Sequence, residues 1–160
     1  MIRSSGIEQW PWQARVGTVA FVAAQHQTFR VFINNADGWH ELTNGTGVTA
    51  RVNAPDLKQA QRARHSLRTS RKEAPAVILD VYVHIEADSR SARKHFASLR
   101  VPSAVSYAGT PEGLAGLIAD IYLAGVADGV TLIPASPTTD IGCAARRVFA
   151  LLPQRVPLAA

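Results

Sequence analysis

The sequence predicts an α/β protein, and three observations carry that prediction. Residues 16–24 (VGTVAFVAA), 76–85 (AVILDVYVHI) and 130–133 (VTLI) are short apolar runs rich in β-branched side chains. Such runs suit strands buried on both faces, as in a parallel sheet. Segments with helical spacing and identifiable caps separate and follow them. The resulting order is strand, irregular segment, helix, strand, helix, helix, strand, helix, which is the alternation of parallel α/β architecture.

The elements follow in order. Residues 1–15 hold Trp10-Pro11-Trp12 among scattered polar residues and show no periodicity, so an irregular N-terminal segment is expected. Residues 16–24 are the first strand. Across residues 25–52 the pattern weakens, and Asn34-Asn35-Ala36-Asp37-Gly38 and Thr43-Asn44-Gly45-Thr46-Gly47 read as turns of an irregular hairpin. Asn53 or Asp56 caps the next helix, whose Leu57, Ala60, Gln61, Arg64 and Leu67 are helically spaced.

In the strand at 76–85, Val77, Leu79, Val81 and Val83 share one face, and Ile78, Asp80, Tyr82 and His84 share the other. A helix capped by Asp88 or Ser89 follows, with Ala92, His95, Phe96 and Leu99 directed inward. Thr110, Pro111 and Glu112 start the next helix in three ways: a side-chain cap, a residue whose missing N–H costs nothing there, and a negative charge at the positive end of the dipole. Leu114, Leu117, Ile118, Ile121 and Tyr122 form its apolar face, and Gly125 ends it. Asp128-Gly129 turns the chain into the strand at 130–133, and a last helix runs from about Thr139 to Leu152 with Ser136 and Thr138 as its expected caps.

Composition narrows the function. The chain has 160 residues, enough for one domain, with 47% hydrophobic and 18% charged residues. Cys143 is the one cysteine, which excludes an internal disulfide and a cysteine-based metal centre and makes a cytoplasmic setting the expectation. Asp80 and Asp120 interrupt the best apolar runs, so no membrane span is expected. The net charge of +5 is concentrated in Arg51, Lys58, Arg62, Arg64, Arg68, Arg71 and Lys72, faced within that stretch by Asp56 alone. Without interleaved aromatics, that segment reads as a solvated helix face rather than a nucleic-acid surface.

The run 107–134, "YAGTPEGLAGLIADIYLAGVADGVTLIP", with the following "VFALLPQR", resembles the C-terminal end of the bacterial luciferase-like flavin-dependent monooxygenases. The closer branch contains the nitrilotriacetate and dibenzothiophene-sulfone monooxygenases. Gly109, Thr110, Pro111, Glu112, Gly125, Ala127, Asp128, Gly129 and Pro134 carry the resemblance. Weaker similarity runs back through residues 56–68, 77–96 and 19–26.

The resemblance implies that residues 16–155 are a partial (β/α)8 barrel, its last strands and helices, with residues 156–160 as a tail. A whole barrel of this kind takes about 250 residues. It implies an oxidoreductase family using reduced FMN delivered by a separate flavin reductase, with deazaflavin used by some relatives. The early strands and phosphate loop that hold the flavin in the family have no counterpart here, and Val130 stands where an aromatic is common. The chain is therefore expected to be a truncated member, inactive alone unless it pairs as a homodimer or with the missing part of the barrel. The alternative is a non-enzymatic α/β module binding a protein or polyanion through its basic helix.

In such barrels the reactive face lies at the C-terminal ends of the strands. That places Gln25 and His26, His84 and Glu86, and Ala135, Ser136 and Thr138 near it. His26 is the expected cofactor contact, with Ser136 as a second contact in place of its capping role, and no residue is assigned a catalytic role. Gly109-Thr110 is explained by helix initiation rather than phosphate binding. Asp80 is expected at a solvent-facing edge or paired with an arginine, and Cys143 is expected buried and inert. The five histidines are dispersed along the chain, and no metal site is expected.

Overall fold

The computed structural model describes residues 28–160. The expected irregular segment at 1–15, the strand at 16–24, Gln25 and His26 lie outside the described residues.

The described residues form an α/β fold around one mixed, curled six-stranded sheet with four helices. The strands are β1 (Arg30–Asn35), β2 (Gly38–Glu41), β3 (Thr49–Val52), β4 (Ala76–Ile85), β5 (Ser106–Gly109) and β6 (Gly129–Pro134). The helices are α1 (Leu57–Thr69), α2 (Ser89–Phe96), α3 (Pro111–Leu123) and α4 (Ile141–Leu151), the last extended by a 3-10 turn at Leu152–Gln154. The strand order is β2-β1-β6-β4-β3. β4 is long enough to serve two partners on one edge, with Thr49–Val52 beside its first half and Ser106–Gly109 beside its second. All pairings are parallel except the β1–β2 hairpin.

The alternation in β4 sorts its side chains as expected. Leu79, Val81 and Val83 join Val31, Ile33, Val130 and Leu132 in the main core. Onto that face α3 lays Leu114, Ala115, Ile118 and Ile121, and α4 lays Ile141, Ala145 and Val148. Full burial of a Leu or Ile side chain is worth about 1.5–3 kcal/mol, so this layer holds the helices in place. The opposite face carries a smaller cluster of Phe32, Ala76 and Ile78. There Trp39 stacks on Phe32 with ring centroids 4.3 Å apart, and its Nε1 donates to Thr131 Oγ1 at 2.9 Å. Asp80 is buried on the same face and accepts from Arg51 Nε at 2.7 Å, the arginine-paired alternative of the two expected.

Helix starts are set by side chains that accept from otherwise unpaired N–H groups. Asp56 caps α1, Asp88 caps α2 and Thr110 caps α3. Gly125 follows α3 with φ +62, a conformation that favours glycine. Residues 156–160 lie along β1: Val156 is buried, Phe29 N donates to Pro157 O at 2.7 Å, and Ala159 N donates to Phe29 O at 3.0 Å.

Several expectations need correction. The sheet, expected to be parallel, is mixed, because 38–41 returns antiparallel on β1 in the hairpin expected within 25–52. β5 falls between the second and third helices, where no strand was expected, because four residues give too short a pattern to recognise. The last helix starts at Ile141, capped by Asp140 accepting from Cys143 N at 2.9 Å, and not by Ser136 or Thr138. His95 is exposed rather than inward, since α2 offers Ala92 as its buried residue. Cys143 is exposed rather than buried.

Candidate functional site

The two ends of the parallel strands are built differently. At the N-terminal end, Asp128 is buried. Its Oδ1 accepts from Arg64 Nε at 3.1 Å, Arg64 Nη2 at 2.7 Å and Arg68 Nη1 at 3.2 Å, and its Oδ2 accepts from Val77 N at 2.9 Å. One carboxylate thus ties α1 to the starts of β4 and β6. Gly129 beside it lets β1 approach closely: a Cβ there would lie 2.4 Å from the Arg30 carbonyl oxygen. The Ala-Asp-Gly run is therefore a packing device and more than a turn.

Arg30 has its own partner at this end. Its guanidinium grips the Glu41 carboxylate bidentately, Nε donating to Oε1 at 2.8 Å and Nη2 to Oε2. The hydrogen bond from Arg30 is the main cause holding the Glu41 carboxyl below its ordinary range.

At the C-terminal end, His84 is the penultimate residue of β4, and the chain passes through Glu86 into α2. Because α2 folds back against β4 and β5, His95 arrives beside the strand end. Glu86 Oε1 lies 2.8 Å from His84 Nε2 and 2.6 Å from His95 Nδ1. These hydrogen bonds, His95's first and His84's second, hold the Glu86 carboxyl below its ordinary range. His84 Nδ1 sits 3.5 Å from Thr139 Oγ1, on the loop after β6.

A cleft of about 380 Å³ opens beside this trio, lined by His84, Glu86, Pro111, Asp140, Cys143 and Arg147 among others. The starts of α3 and α4 border it. One first-turn N–H of each is capped, Gly113 N donating to Thr110 Oγ1 at 3.3 Å and Cys143 N to Asp140 Oδ1 at 2.9 Å, which supports helix initiation as the role of Gly109-Thr110.

The expected contacts are distributed unevenly. His84 and Glu86 meet at the cleft, as their position at a strand end required. Ser136 is buried at the end of β6, but its Oγ is 2.8 Å from Thr138 Oγ1 and accepts from Thr138 N at 3.3 Å, so it closes its own turn. His26 lies outside the described residues. His95 was missed as a site residue. The available signal was a His-x-Glu pair ending a strand, followed by a histidine two turns into a short capped helix.

No protein-family model and no curated protein matches this chain. Among the described residues, no helix is long and apolar enough to cross a membrane.

Proposed function

We propose that this chain carries the last strands and helices of a luciferase-like flavin-dependent monooxygenase barrel, and that it forms a flavin site only when assembled with a second copy. The observation that carries this reading is the unit from Gly109 to Pro134. Its Thr110-capped helix leads into a strand that pairs parallel with β4, and that strand delivers the chain to a cleft at the C-terminal ends of the strands. That is the end at which barrel enzymes of this class hold their ligands.

The described residues do not by themselves fit a flavin. None of their buried side-chain polar atoms lacks a partner that a flavin ring would supply, and Ser136 is engaged by Thr138. No chemical step is therefore assigned to the single chain. In the described sheet, β2 lies at one edge and β3 and β5 at the other, and such edges are open to pairing with another chain. A polyanion-binding role through α1 has less support, because Arg64 and Arg68 turn to Asp128.

Titration with oxidised and reduced FMN, followed by fluorescence alongside mass in solution, tests the proposal. Saturable binding confined to a dimer, with reductase-coupled oxygen uptake above that of free flavin, is the expected result. Absence of flavin binding at every protein concentration, monomer or dimer, would overturn it.

A further inference from the structure

We propose that His84, Glu86 and His95 form a binding site for one first-row divalent cation, zinc in the first instance, opening on the cleft. This inference rests on the trio alone and is independent of the flavin reading. The three offer two imidazole nitrogens and a carboxylate oxygen, a donor set that suits zinc and its neighbours rather than magnesium or calcium. Their ligand atoms all lie within 4.8 Å of one another.

Zinc holds imidazole nitrogen and carboxylate oxygen at about 2.0–2.2 Å, which sets neighbouring ligands about 3.3–3.5 Å apart in a tetrahedron. Glu86 Oε1, at 2.8 and 2.6 Å from the two ring nitrogens, already draws both rings toward one point. A cation needs the carboxylate to step back slightly and His95, which is exposed, to turn its ring.

His84 is the more firmly placed ligand, 11% exposed at the end of β4. Thr139 Oγ1 lies 3.5 Å from its Nδ1, where it can accept from that nitrogen once Nε2 is given to a metal. Three protein ligands leave a coordination position for water or a ligand in the adjoining cleft, the pattern of reactive rather than purely structural zinc sites. The site would also fasten α2 to β4.

Untagged protein stripped with chelator should be titrated with ZnCl2 by calorimetry and with CoCl2 by visible absorption. One equivalent should bind saturably, and cobalt should show the strong visible bands of a four- or five-coordinate site. His95→Ala and Glu86→Gln should each weaken zinc by at least about tenfold, since each removes a ligand. His95→Asp, which returns an oxygen donor, should recover part of that loss. His65→Ala, on α1, should leave binding unchanged. Circular dichroism of each variant separates lost binding from lost fold. No saturable binding by the wild-type chain, or equal affinity in folded His95→Ala and Glu86→Gln, would overturn the proposal.

Discussion

Asp128 and Glu86 are both carboxylates that gather two basic side chains, yet they sit at opposite ends of the same sheet and in opposite surroundings. The Asp128 side chain is 3% exposed and also receives a backbone N–H, so its bonds join three elements of the core. Glu86 is 26% exposed and binds two histidines at the rim of a cleft. A carboxylate removed from water must stay fully paired, whereas one at a rim can exchange its partners for a ligand. The N-terminal end of the sheet therefore serves stability, and the C-terminal end is free to serve binding.

The largest effect should come from breaking the N-terminal knot. Asp128→Ala leaves Arg64 without its carboxylate, keeping only the Gly125 carbonyl oxygen, and the buried Val77 N–H unpaired. It should cost about 3–5 kcal/mol in urea unfolding, with the half-exposed Arg68 adding little. Next, Gly129→Ala forces the backbones of β1 and β6 apart and should cost about 1–3 kcal/mol, read as a drop in melting temperature. At the other end, Thr110→Ala removes only a helix cap and should cost about 1 kcal/mol.

The smallest effect is a pH dependence. Glu41 titrates lower in the folded chain than in the unfolded one, because Arg30 stabilises its charged form. Its contribution is whole above the unfolded glutamate value of about 4.3 and is lost as pH falls through the lower folded value. Glu41→Gln should accordingly flatten the acid limb of the stability curve, as measured by urea midpoints between neutral and acid pH.

Much of the framework was legible because local signals agreed with the tertiary structure. Alternation in β4 predicted its two faces, and Thr110-Pro111 with the 114–122 stripe predicted α3 and its buried side. What stayed hidden depended on distant partners. β3 and β5 are four-residue strands that exist because β4 has edge to spare. Asp128 reads locally as a turn residue, and its burial depends on Arg64 from α1. Two of the three residues of the candidate trio were legible, since strand-end position singled out His84 and Glu86. His95 was not, because helical spacing placed it inward, while the fold-back of α2 turns it toward Glu86.

The division between the two ends is tested most directly by urea unfolding of metal-free Glu86→Gln beside Asp128→Asn. The Glu86→Gln midpoint should stay at the wild-type value, and the Asp128→Asn midpoint should fall well below it. A Glu86→Gln midpoint that falls as far as that of Asp128→Asn would contradict that division, and would make the histidine–glutamate trio a second structural knot.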